Sequence, residues 1–201
     1  MPDVTVGTGW DNRAAGQAAA PRKLAHIVLR TSHKRPLMAW YRDVLGARIV
    51  FENDFIGFLT YDDEHHRVAV IEMPGLSPVD RMTAGLHHVA FTYGGLQDLL
   101  DTYCRLKAIG ITPDHSINHG PTTSMYYRDP DGNSVELQVD NFATAEEGTA
   151  YLSSDAFAAN PIGVDFDPED LLAKFTSGVS VTELTKRPDI GPRGLPSRTP
   201  A

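Results

Sequence analysis

The chain has only one cysteine, Cys104, among its 201 residues. No intramolecular disulfide can form, so cysteine usage gives no sign of an oxidising compartment. Cys104 falls in an amphipathic stretch, where a free thiol is expected to be a buried structural residue. Basic residues are also scarce, with 18 Lys and Arg against 26 Asp and Glu and a formal net charge of −8. No Lys/Arg cluster offers a phosphate-binding face, which excludes nucleic acid as a partner. No run of about 18 apolar residues is present, so no membrane span is expected. Residues 1–20 lack a basic segment followed by an apolar one, so no secretory signal is read there and a cytoplasmic location is expected. The chain does not lack core-forming residues: 41% are hydrophobic and 22% charged, ample for a folded domain.

Residues 1–22, rich in Gly and Ala without periodicity, read as a flexible arm. Leu24 to Arg30 is a short β-rich apolar run. Pro36 to Leu45 has apolar residues at helical spacing and a natural stop at Gly46. Three β-like runs follow, Ala47 to Glu52, Ile56 to Tyr61 and His66 to Met73, ended by Pro74-Gly75. The same order then recurs. Leu86 to Phe91 is a strand, and Leu96 to Ile109 is a helix closed by Gly110. Further β runs include Ser124 to Tyr127 and Val135 to Val139, joined by the turn Asp129-Pro130-Asp131-Gly132-Asn133. The expected architecture is therefore α+β: a first βαβββ module over 23–80, a second over 81–141, and a curved mixed sheet between them. Residues 142–201 form a C-terminal extension with one short helix, Asp167 to Phe175, and an otherwise irregular course. Two copies at so long a period indicate a duplicated domain and not a solenoid.

Strand alternation sorts the chemistry-bearing residues. His26 shares a face with Val28 and Arg30, His88 with Ala90 and Thr92, and Glu136 with Ser134 and Gln138. Their neighbours Ile27, Leu29, Val89, Phe91, Val135 and Leu137 form apolar faces suited to helix packing. If the polar faces converge, His26, His88 and Glu136 surround one cavity. Two imidazoles and one carboxylate are the facial triad of non-haem Fe(II) oxygenases, which leaves positions open for a chelating substrate and O2. A lone strand histidine or glutamate is more often an ordinary polar residue. Equivalent histidines in two repeats, with a glutamate on the closing strand, raise these three to metal-ligand candidates.

The His26-Ile27-Val28-Leu29 start, Trp40-Tyr41-Arg42-Asp43-Val44-Leu45-Gly46, His88-Val89-Ala90-Phe91 and Asp129-Pro130-Asp131-Gly132-Asn133-Ser134-Val135-Glu136 resemble the vicinal oxygen chelate superfamily. The resemblance spans residues 23–140, and its motifs are specific for the fold while shared by several activities. Three features resemble the one-domain extradiol dioxygenases in particular. Glu64-His65-His66-Arg67-Val68 is similar to the strand carrying that family's acid–base histidine, which implies that role for His66. Tyr126 stands where the family has an active-site tyrosine. His119, in Asn118-His119-Gly120, stands where it has a substrate-contacting histidine, although the loop is shorter. The resemblance implies an iron enzyme acting on a catechol-type diol with O2, with manganese as an alternative metal.

Other residues are given other parts. His33 and His115 are expected at the surface, His65 on the strand face opposite His66, and His87 turned away from the metal. Tyr127 is expected to face the helices. Glu72 is the one residue that would convert the site to a four-ligand glyoxalase type, and Ala69 or Val70 matches Glu136 better in position. The alternative function is a glyoxalase-type isomerase or lyase using Zn(II) or Ni(II). A drug-binding protein of the same fold is a third reading, disfavoured by the complete triad. Exposed strand edges and the extra C-terminal segment lead to the expectation of a homo-oligomer.

Overall fold

The computed structural model describes residues 19–77, 79–80 and 82–194. Most of the expected N-terminal arm (1–18) and the last residues from Leu195 lie outside the described residues.

The first module runs β1 (Ile27–Thr31), α1 (Lys34–Leu45), β2 (Arg48–Glu52), β3 (Ile56–Thr60) and β4 (Val68–Glu72). The second repeats the order with β5 (His88–Thr92), α2 (Leu96–Ala108), β6 (His115–Asn118), β7 (Thr122–Arg128) and β8 (Ser134–Asp140). Helix α1 forms because Leu37, Met38, Tyr41 and Val44 make one apolar stripe, all nearly inaccessible to solvent. Gly46 stops it in the left-handed conformation (φ 60°), its N–H returned to the Arg42 carbonyl. At the other end, the Glu72 carboxylate accepts the Lys34 N–H at 2.8 Å and so caps α1. That contact commits Glu72 to the helix.

In α2 the buried stripe is Leu96, Leu99, Leu100, Tyr103 and Leu106. Cys104 falls off this stripe and is exposed, which corrects the expected buried thiol. An amphipathic helix buries one side only, and the cysteine sits on the other.

Each module makes its own mixed sheet. The first has the order β1-β4-β3-β2; the second has β5-β8-β7-β6 and is extended by a short strand, β9 (Val164–Asp165), from beyond the modules. Strands β1 and β4 run parallel, as do β5 and β8, and the other pairs are antiparallel. One face of each sheet enters a core shared by both modules: Val68, Val70 and Leu59 from the first, and Met125, Tyr127, Val135, Leu137 and Val139 from the second. Gly57 faces α1, where a side-chain carbon would run into the Met38 thioether. Tyr127 is fully buried, as expected of a helix-facing ring.

The two modules are latched at the end of α1. The Arg105 guanidinium, from α2, donates to the Asp43 carbonyl and to the Val44 carbonyl. The Tyr93 hydroxyl donates to the Val44 carbonyl at 3.3 Å, and the Tyr41 hydroxyl donates to Asp129 at 3.2 Å.

The C-terminal extension departs from expectation. Besides α5 (Pro168–Thr176), which matches the one helix foreseen, it contains α3 (Ala145–Leu152), α4 (Asp155–Ala159) and α6 (Val181–Thr185). Each of these three has a Thr or Ser N-cap, Thr144, Ser154 or Ser180, accepting a backbone N–H. They are too short for helical periodicity to stand out in sequence. Helix α5 packs on α2, where Tyr103 and Lys107 both bond Glu169, and Leu171 joins the core. No helix among the described residues is long and apolar enough to cross a membrane.

Candidate active site

The non-core face of the second sheet carries a continuous cross-strand row. In register, Ala90 (β5) lies beside Glu136 (β8), Glu136 beside Tyr126 (β7), and Tyr126 beside His115 (β6). Glu136 is buried, and its carboxylate meets His88 Nε2 at 3.0 Å. Among the described residues no lysine or arginine pairs with it. A buried carboxylate without a fixed cation is costly unless a cation or a proton joins it.

Tyr126 is the hub of this half. Its ring meets His88 edge-on at 5.4 Å and stacks on His115 at 4.4 Å with an interplanar angle of 3°. Its hydroxyl lies 3.0 Å from His119 Nε2. Burial, with the nearby Glu136 charge, pushes the Tyr126 phenol well above its ordinary pKa, so it stays a neutral donor. His119 Nδ1 in turn contacts the Ile162 carbonyl at 2.5 Å. His115, expected at the surface, is exposed at the start of β6, and its stacking on Tyr126 is the contact the sequence reading missed. The only signal was a weak alternation, because β6 has four residues.

The first module contributes a different surface. Its equivalent row is Val28 (β1), Ala69 (β4), Phe58 (β3) and Phe51 (β2). Ala69 thus occupies the position that Glu136 holds in the second module. His26 immediately precedes β1, and its ring lies 4.4 Å from that of His66. Phe58 stacks on His66 at 4.6 Å. Burial, then the neighbouring His26 and His65, lowers the His66 pKa.

Two expectations drawn from alternation fail. His65 and His66 precede β4, and their Nδ1 atoms are 2.5 Å apart, so they do not occupy opposite faces. His87 precedes β5, and its Nδ1 reaches His88 Nδ1 at 2.7 Å instead of turning away. Alternation applies to paired, extended backbone, and both residues lie outside it.

The expected ligands therefore fall in two groups. His88 and Glu136 are in contact, while His26 stands with His66. Among the described residues no three His, Cys, Asp or Glu side chains converge closely enough to hold one ion. In kind, two imidazoles and one buried carboxylate without a fixed cation suit a divalent metal.

The family profile of the Glyoxalase/Bleomycin resistance protein/Dioxygenase superfamily matches residues 23–137. The chain belongs to this superfamily. Within it, the chain is similar to two proteins of Rhodococcus globerulus. Biphenyl-2,3-diol 1,2-dioxygenase 2 is 47% identical over 83% of this chain and 88% of that protein. Biphenyl-2,3-diol 1,2-dioxygenase 3 is 49% identical over 82% and 88%. A likeness of that span takes in part of the C-terminal extension as well as both modules. The solved fosfomycin resistance protein FosX of Listeria monocytogenes, in complex with Mn(II) and sulfate, superposes with a TM-score of 0.52. It is 19% identical and covers 66% of this chain and 98% of its own, a likeness of fold alone.

Proposed function

We propose that the protein is an extradiol dioxygenase, which opens a catechol-type ring beside its hydroxyls using O2, with a divalent iron held by His26, His88 and Glu136. The observation that carries the ligand set is the buried Glu136 carboxylate, which meets His88 Nε2 at 3.0 Å and, among the described residues, no lysine or arginine. The identity of 47–49% to diol dioxygenases over most of the chain favours this activity over the glyoxalase-type alternative. So does Ala69, which leaves the first module without a fourth ligand, a second carboxylate, at the position equivalent to Glu136. Manganese accepts the same donors.

Bound iron would supply the open positions for the diol oxygens and for O2. The chain's own residues then divide the remaining work. Val28, Ala69, Phe58 and Phe51 offer an apolar bed for the aromatic body of the substrate. His66, stacked on Phe58 beside His26, is placed to exchange a proton with a substrate hydroxyl. Tyr126, its hydroxyl held by His119 Nε2, orients a substrate oxygen by hydrogen bonding.

A homo-oligomer in the cytoplasm, with a dimer as the smallest unit, completes the proposal. Its support is the open β2 edge, where Ile49, Val50 and Phe51 are all exposed and Phe55 lies nearby.

The test is oxygen uptake by anaerobically iron-loaded protein with a panel of catechols, watching for a yellow ring-opened product. Isomerase activity without oxygen uptake would favour the glyoxalase-type reading. Single replacement of His26, His88 or Glu136 by Ala should abolish stoichiometric metal binding and leave a folded protein. Full iron occupancy in two of the three variants would overturn the ligand assignment.

A further inference from the structure

The C-terminal extension meets the candidate site at one residue, His119, and meets it from several directions. The Ile162 carbonyl lies 2.5 Å from His119 Nδ1. A carbonyl oxygen can only accept, so this contact requires the proton on Nδ1. Nε2 of the neutral ring is then an acceptor, and the group 3.0 Å away is the Tyr126 hydroxyl. That hydroxyl has one proton and two neighbours that can take it, His119 Nε2 and the Glu136 carboxylate. With His119 protonated on Nδ1, the hydroxyl donates its hydrogen bond to His119 Nε2 and not to the Glu136 carboxylate, which keeps only its contact with His88. The opposite tautomer would make His119 the donor and turn the tyrosine proton toward Glu136.

The carbonyl that makes this choice is itself held firmly. The Asn160 side chain brackets the turn, accepting the Gly163 N–H at 2.7 Å and donating to the Gly163 carbonyl at 3.1 Å. Arg193 donates to the same carbonyl at 3.0 Å. Arg187 donates to the Asn160 carbonyl at 2.6 Å, the Ala156 carbonyl at 2.8 Å and the His119 carbonyl at 3.2 Å. Strand β9 pairs Val164 with Asn118 and Asp165 with Ile117, alongside the residues that lead into His119. Gly163, at φ 112°, lies flat against the end of β6. A side-chain carbon there would overlap the Asn118 carbonyl and come within 2.8 Å of His119 Cα.

We infer that the C-terminal extension is a positioning element of the active site, its Ile162 carbonyl fixing His119 as the Nδ1–H tautomer so that Nε2 accepts a hydrogen bond from the Tyr126 hydroxyl. Asn160, Gly163 and Arg187 are positioning residues that hold this carbonyl in place and touch no substrate. The inference rests on the dioxygenase reading for its catalytic consequence, while the tautomer itself does not depend on that reading.

The test uses the full-length chain labelled with 15N-histidine, free of paramagnetic metal and at mildly alkaline pH. Two-bond 1H–15N correlations report which ring nitrogen carries the proton, and the His119→Gln spectrum assigns the signal. Wild-type His119 should show a single Nδ1–H pattern. Gly163→Ala should convert it to a mixed or Nε2–H pattern and leave the His26 and His88 patterns unchanged. In the iron-loaded enzyme kcat should fall by up to roughly 10²-fold, the usual cost of misplacing a catalytic group by about 1 Å, with KM little altered. Arg187→Lys, which keeps charge but loses the forked contacts, should give the same change to a smaller degree and decides the matter if Gly163→Ala does not fold. An Nε2–H or mixed pattern in the wild type overturns the inference. So does an unchanged pattern in the variant that folds. Absence of oxygen uptake by the wild type would instead count against the dioxygenase reading, with the tautomer result standing apart.

Discussion

The two modules are built from the same five elements in the same order, yet their equivalent rows of side chains are opposites. Where the second module presents Ala90, Glu136, Tyr126 and His115, the first presents Val28, Ala69, Phe58 and Phe51. Beyond Ala90, the first of these rows is ionisable throughout; the other is wholly apolar. Their outer edges differ as well. Strand β6 is covered by β9, whereas β2 is exposed along its whole length and carries a register shift between Ile49 and Phe51. A duplicated scaffold has thus been divided, with ionisable groups concentrated on one copy and an apolar surface on the other. The exception is the His26–His66 pair, which lies at the ends of strands and not within the apolar row.

The largest expected effect tests that exception. His66→Ala should keep its iron and lose roughly 10²–10⁴-fold in kcat, the usual worth of a positioned acid–base group, while His65→Ala loses much less. Oxygen uptake with metal content measured on the same samples checks this, and loss of iron from the His66 variant would make His66 a ligand. Next comes stability. Leu137→Ala, in a fully buried strand position of the second module, should cost about 2–5 kcal/mol. Ile49→Ala, on the open edge of the first, should stay within about 0.5 kcal/mol in the monomer. Equal urea midpoints for the two would erase the contrast between a buried interior strand and the open edge. A smaller effect separates binding from chemistry. Phe58→Ala should raise KM for an aryl-substituted catechol roughly tenfold and leave kcat near wild type. A fall confined to kcat would show that the apolar row does more than hold the ring.

The smallest effect is a pH dependence. Burial holds the Asp129 carboxyl above the ordinary carboxylate range, against the bonds it accepts from Asn133, Asp131 and Tyr41. The folded state therefore keeps this proton to higher pH than the unfolded chain does. The group's contribution to stability is fully present below the unfolded value and is lost as pH rises through the folded one. Asp129→Asn should remove that acid-side slope from a plot of urea midpoint against pH. A slope identical to wild type would show that other carboxylates set it.

Long, strongly patterned segments were legible in the sequence. The duplicated βαβββ order, both helices with their stops, and the sorting of Glu136 against Val135 and Leu137 all follow from periodicity, and the structure places them so. Legibility ended where periodicity has too few residues to act on. Helices α4 and α6 have five residues each, β6 has four and β9 two. His65 and His87 were misjudged because each stands just outside its strand. The Ile162 carbonyl was beyond reach for a different reason: backbone atoms carry no residue identity, and only the folded chain brings this one to His119.

The latch at the end of α1 has a thermodynamic consequence. The last carbonyls of that helix are satisfied by Arg105 and Tyr93, groups that belong to the other copy. If the second module opens, α1 loses these partners and one wall of its core together, so neither half retains a stable folded form by itself. Heat or urea should consequently melt both copies in a single cooperative transition, with the same midpoint whether followed at Trp40 or by overall helicity.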